Sequence, residues 1–199
     1  MKASVPRSRV RPATPAALAI DTIQDAFRRD PVARWIWPEE DNFEDAMPRF
    51  TEAFGRHAFS SGSADLIGQG WGAALWLPPG KGPDEEAVIK ILNESVISER
   101  HSEIFGMFEQ MDQLHPTEPH WYLSLIGIRE QYQSRGYGSS LMLHALDRCD
   151  ADGLPAYLEA TNSRNVQFYE SFGFQNIGKI QSGTSPELYS MLRPARPSS

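Results

Sequence analysis

The sequence predicts an α/β (α+β) domain, and three observations lead there. Segments with apolar residues spaced by threes and fours alternate with short strand-like runs. One of those runs, "WYLSLIGI" at 121–128, is apolar on both alternations, as a central strand covered on both faces would be. A loop bearing two glycines and then a run of helix formers follow it. The length of 199 residues suits one domain over 1–199 with one sizeable core, flanked by an N-terminal segment at 1–14 and a polar tail at 194–199.

Thr14 and Pro15 offer an N-cap and a first-turn proline ahead of Leu18, Ile23, Ala26 and Phe27, so a first helix is expected to end near Asp30 and Pro31. "ARWIWPEED" then reads as an aromatic connection closed by Pro38. A second helix spans 42–60 on Phe43, Met47, Phe50 and Phe54, with Pro48 near its start. Two strands at 64–68 and 72–77 enclose "GQG" and form a hairpin. Residues 84–114 carry the stripe of one or two helices, and "HPTEPH" stops it. After the central strand come a helix running to about Ala151, a strand in "PAYLEAT", a short helix closed by Gly173, and two strands in "FQNIGKI" and "ELYSML".

Composition removes several function classes. Twenty-six acidic against 19 basic residues give a net charge of −7, so nucleic acid is not an expected partner, and the balance suits solubility or a cationic small molecule. Cys149 is the single cysteine, which leaves no internal disulfide and no thiolate metal site. His115 and His120 stand five apart with prolines between, a spacing of neither a helical pair nor a zinc finger, so no metal is expected. No apolar run reaches bilayer length and the start lacks a secretory core, hence a cytoplasmic protein without a membrane partner is expected. A homodimer stays open.

The chemistry points to "YQSRGYGSSL". Strand, glycine loop and helix together aim several main-chain N–H groups outward at the positive end of a helix dipole, where phosphate binds well. Side chains at Gly136 or Gly138 would hinder that approach, and Arg135 adds a charge. No Gly-Lys-Ser/Thr follows and position 141 is leucine, so neither a Walker loop nor a dinucleotide fingerprint is present.

Gln133-Ser134-Arg135-Gly136-Tyr137-Gly138 resembles the Gln/Arg-x-x-Gly-x-Gly/Ala signature of the GCN5-related N-acetyltransferases (GNAT superfamily), and residues 118–193 follow that family's second half in order. Within it, the run is similar to puromycin N-acetyltransferase and its relatives. The resemblance implies a mixed, twisted, mostly antiparallel sheet flanked by helices, whose central parallel strands splay to admit acetyl-coenzyme A (acetyl-CoA). Carried across, Ile126, Gly127 and Ile128 would meet the pantetheine arm, the loop from Gln133 to Ser139 would wrap the pyrophosphate, and Asn165, with Asn162 as an alternative, would contact the cofactor. Gly127 within bulky neighbours reads as a bulge or close backbone approach, or equally as a packing glycine.

Acetyl transfer to an amine requires a base for the ammonium, a donor for the developing oxyanion and an acid for the departing thiolate. Tyr169 matches the family's acid, Glu159 at a strand end is the candidate base with His120 as an alternative, and the N–H of Ile128 or a neighbour would be the oxyanion donor. Cys149 on an apolar stripe is a poor nucleophile, which favours direct transfer. Trp35, Trp37, Phe50 and Phe54 are expected to come together, either lining the acceptor pocket or packing the core. The expected activity is an acyltransferase acting on a small-molecule amine. A protein or peptide amine is the second acceptor class, and a coenzyme A-binding sensor without turnover is the reading from another class.

Overall fold

A computed structural model describes residues 10–13 and 16–196. Strands β1 (Val10–Pro12), β2 (Ala64–Ile67), β3 (Gly72–Leu77), β4 (Trp121–Ile128), β5 (Ala156–Ala160), β6 (Gln175–Ile180) and β7 (Leu188–Arg193) form one sheet, ordered β1-β2-β3-β4-β5-β7-β6. Every neighbouring pair is antiparallel except β4 and β5. The β2-β3 hairpin turns on Gly68 and Gly70, both at positive φ (62° and 81°), a conformation in which glycine carries no steric penalty. The sequence reading did not anticipate β1. Three residues ending in a proline carry no period to detect, and such a strand is tolerated at an edge, where the ladder needs no N–H from the proline.

Among the described residues, eight α-helices accompany the sheet: α1 (Ala16–Phe27), α2 (Pro31–Ile36), α3 (Glu40–Phe54), α4 (Arg56–Ser60), α5 (Glu85–Ser95), α6 (His101–Leu114), α7 (Tyr137–Ala151) and α8 (Ser163–Glu170). The predicted caps Thr14 and Pro15 lie outside the described residues. The connection expected at "ARWIWP" is instead helical. Asp30 Oδ1 accepts from the N–H groups of Val32 and Ala33, and Pro31 takes the first helical position, so Asp-Pro both ends one helix and starts the next. The single helix expected over 42–60 divides at Gly55, where a Cβ would come within 2.4 Å of Leu75 Cδ1. Pro48 stays inside α3.

Two cores lie on the two sides of the sheet. On one face, helices α1 to α6 pack on Leu66, Leu75, Tyr122, Leu125, Tyr157 and Leu188; on the other, α7 and α8 pack on Trp76, Leu123, Leu158 and Met191. An ion pair buried on its arginine side ties α7 to β7. The Arg193 guanidinium, 2 % exposed, donates to both Asp150 carboxylate oxygens at 2.7 and 2.8 Å and to the Phe172 carbonyl at 3.1 Å.

Parallel pairing of β4 and β5 covers only Trp121 with Ala156, Tyr122 with Tyr157 and Leu123 with Leu158. Beyond Leu123, β4 keeps its partner β3 and no longer pairs with β5. The register against β3 slips at this point: Leu75 faces Leu125 and Trp76 faces Leu123, leaving Ser124 as the extra residue. The bulge therefore belongs to Ser124 and not to Gly127. Gly127 is a packing glycine, since a Cβ there would sit 2.5 Å from Ala26 Cβ of α1.

Candidate active site

Where β4 and β5 part, the bulge turns two consecutive side chains, Ser124 and Leu125, toward the same cleft. The cleft encloses about 540 Å³ counted to its open mouth, between the sheet and helices α2, α3 and α6. Trp37, Phe50 and Phe54 line it as expected, with Met107, Phe108 and Met111 of α6 opposite. Trp35 does not. Its indole N–H donates to Thr184 Oγ1, and Arg100 lies over its ring 4.5 Å from the centroid.

Glu159 on β5 reaches this cleft with its side chain only 5 % exposed. Its Oε2 accepts the Tyr122 hydroxyl proton at 2.7 Å, while its buried Oε1 has no hydrogen-bond partner. Burial, then the Glu159 charge, push the Tyr122 phenol well above its ordinary range, which keeps it a donor. A buried carboxylate oxygen without a hydrogen-bond partner is a group that calls for an N–H or O–H donor, and His115 Nδ1 stands 3.9 Å from it.

The two histidines that spacing had set apart come together. "HPTEPH" folds back so that His115 Nε2 and His120 Nε2 stand 3.0 Å apart, and His115 Nδ1 lies 3.9 Å from Glu159 Oε1. His120 Nδ1 is 2.7 Å from the Glu118 carbonyl, which can only accept, so Nδ1 carries the proton and Nε2 of the neutral ring accepts from His115. Desolvation holds the His120 pKa below the usual histidine value, with the neighbouring His115 lowering it further. The sequence also gave no notice of Asp30. This carboxylate lines the same cleft, accepts the Thr161 hydroxyl proton on Oδ2 at 2.5 Å, and is raised in pKa by burial.

Tyr169 on α8 is buried at 6 % exposure, and burial first, then the Asp30 charge, raise its pKa, so the phenol stays protonated at neutral pH. Asn162 caps α8, its side chain accepting from the Arg164 N–H, whereas Asn165 is exposed on the first turn.

At the start of α7, Gly136 is the N-cap in the left-handed region (φ 80°, ψ 6°) and no side chain caps the helix. The first intrahelical bond runs from Ser140 N–H to the Gly136 carbonyl, so the N–H groups of Tyr137, Gly138 and Ser139 precede the ladder. Ser134 also takes a positive φ of 59°. The Tyr137 ring is buried against Trp71, 5.0 Å between centroids, which leaves its backbone as the part available to a ligand. Arg135 is exposed, 5.7 Å over the Tyr132 ring. Gln133 spans back to donate to the Ile128 carbonyl at 3.0 Å, and Ile126 and Ile128 turn their side chains to the α7 core. A Cβ on Gly138 would meet nothing closer than Phe168 Cζ at 3.5 Å, so the protein itself does not demand glycine there. Among the described residues, no group of three His, Cys, Asp or Glu side chains converges as a metal site would require.

Among the described residues the sheet splits at its one parallel pair, with a helix start without a side-chain cap on one face and a cleft on the other. The chain belongs to the acetyltransferase (GNAT) family, whose sequence model matches residues 20–174. It is 29 % identical over 192 residues to an uncharacterized N-acetyltransferase of Schizosaccharomyces pombe, covering 88 % of this chain and 78 % of that one. Among solved structures it is similar to one from Corynebacterium glutamicum described as histone acetyltransferase HPA2 and related acetyltransferase (26 % identity, TM-score 0.69, 94 % and 96 % of the two chains). Arylalkylamine N-acetyltransferase 2 of Aedes aegypti shares the fold at 12 % identity (TM-score 0.66, 94 % and 99 % covered). So does a polyamine N-acetyltransferase of Drosophila melanogaster at 13 % identity (TM-score 0.62, 92 % and 97 % covered).

Proposed function

We propose that the chain is an N-acetyltransferase that moves an acetyl group from acetyl-CoA directly to the amine of a small molecule. The observation that carries this reading is Glu159, a residue that lines the cleft next to the strand split and keeps a buried, unpartnered Oε1. When bound, acetyl-CoA supplies the acetyl group as an activated thioester. The chain's fit to it rests on the bare N–H groups of Tyr137, Gly138 and Ser139 for the diphosphate, the left-handed Gly136 that aims them, and the β4 edge at Ile126, Gly127 and Ile128 for the arm. Gln133, Ser134 and Arg135 complete the loop, and Asn165, exposed on the first turn of α8, is carried from the family likeness as a further contact.

Glu159 takes the ammonium proton at Oε1, and the two histidines extend from it toward the surface as a route for that proton. Tyr169 holds a proton at its hydroxyl for the departing sulfur. Cys149 plays no covalent part: burial pushes its thiol up to about 12, far from a nucleophilic thiolate at neutral pH, and the same buried lone cysteine is compatible with a cytoplasmic setting. The likeness to puromycin N-acetyltransferase bears on residues 118–193, and we carry it for the coenzyme half of the site and not for the acceptor.

Thiol release from acetyl-CoA with a panel of amines tests the reading. Tyr169→Phe is expected to lower kcat about 100-fold while leaving the amine KM within a few fold, the pattern of a lost proton donor. Undiminished kcat in a folded variant would remove Tyr169 from the reaction. Coenzyme binding without turnover of any amine would favour a binding module.

A further inference from the structure

We infer that Asp30 binds the ammonium of the acceptor, so that the amine enters the cleft as a cation; this rests on the N-acetyltransferase reading above. Among the described residues the cleft wall carries two carboxylates, Asp30 and Glu159, and no lysine, arginine or histidine. Such a wall is short of positive charge. Glu159 already has neighbours for its charge: the Tyr122 hydroxyl donates to Oε2 at 2.7 Å, and His115 Nδ1 stands 3.9 Å from Oε1. Asp30 makes no ion pair among the described residues, and its three partners are neutral. Oδ1 accepts from the Val32 and Ala33 N–H groups at 3.0 Å each, at the start of α2, whose dipole supplies only part of a positive charge. Oδ2 accepts the Thr161 hydroxyl proton. A carboxylate offers about four acceptor positions, so one on Oδ2 is left for a ligand.

The placement suits the reaction. Thr161, which holds Oδ2, lies two residues beyond Glu159 and lines the same cleft, about 7 Å along at strand geometry. The Asp30 charge also acts on the Tyr169 phenol, adding to the burial that raises its pKa. An ammonium on Asp30 is therefore held close to both groups of the proposed transfer. Burial raises the Asp30 pKa, as it does for a carboxylate short of counter-charge, and a cation beside it offsets that cost. The remaining wall, with Phe50, Phe54, Met107 and Met111, is apolar and supplies no anion to an ammonium taken out of water.

The test pairs each amine with its alcohol on the full chain with coenzyme A bound: pentylamine with 1-pentanol, and 2-phenylethylamine with 2-phenylethanol, by calorimetry near neutral pH. At least one amine is expected to bind at least about 10-fold tighter than its alcohol. Asp30→Asn is expected to lower that ratio at least about 10-fold, with alcohol and coenzyme affinities unchanged. Asparagine caps a helix as well as aspartate does, and the Thr161 hydroxyl can turn to accept from the new amide, so a merely structural Asp30 would leave the ratio intact. An unchanged ratio in the variant overturns the inference. So does a wild type that prefers no amine over its alcohol, a result that needs no variant to fold. Turnover of an amine by the wild type in either case leaves the acetyltransferase reading standing. An Asp30-dependent preference without turnover of any amine overturns that reading and supports the ammonium contact alone.

Discussion

Glu159→Gln is expected to lower kcat for acetyl transfer by about 100- to 1,000-fold with coenzyme affinity nearly unchanged. Glutamine keeps the shape, and its carbonyl oxygen still accepts from Tyr122, so the β4-β5 packing is preserved. It loses the ability to take a proton at the unpartnered oxygen. Steady-state kinetics with calorimetry of coenzyme binding separate these effects. An undiminished kcat would shift the base to His120, the other titratable group connected to this cluster through His115.

Asp150→Ala is expected to destabilise the fold by about 1–3 kcal/mol, because it removes the counter-ion of the Arg193 guanidinium, 2 % exposed, while the 34 % exposure of Asp150 lets water replace part of it. For a chain of this size that is a fall in Tm of several degrees, measurable by thermal unfolding. The double variant Asp150→Leu with Arg193→Met should recover much of the loss, since an apolar pair needs no desolvation of charge. The pair also gives a pH signature. The hydrogen bonds from Arg193 hold the Asp150 carboxyl below its ordinary value, so folding favours the ionised form. Its stabilisation is fully present above the unfolded carboxylate pKa of about 3.9 and is lost as pH falls through the lower folded value. Wild type should therefore lose more stability than Asp150→Ala on acidification below about pH 4.

Strong periodicity and turn residues made most elements legible. β2, β3, β4 and β5 lie where the apolar runs and glycines put them, and α5 and α6 emerge as the two-helix form of the stripe at 84–114. What stayed hidden is tertiary. Asp-Pro at 30–31 carries both a stop and a start signal, and only the packing of Val32, Ala33 and Ile36 into the core shows that the start prevails. The bulge at Ser124 depends on registry with β3, which no single strand encodes. Sequence spacing kept His115 and His120 apart because a five-residue offset is unfavourable on a helix, yet they sit in a loop that doubles back. Of the aromatics expected to gather in the first half, Trp37, Phe50 and Phe54 line the cleft, whereas the Trp35 hydrogen bond to Thr184 crosses 149 positions and leaves no local trace.

The gap between β4 and β5 makes the sheet a partition with a doorway, reached by the bare helix start from one room and by the aromatic cleft from the other. Two reactants entering from opposite sides need not wait for each other to depart. Initial-rate plots at varied concentrations of both should accordingly intersect, as a ternary encounter requires, instead of running parallel.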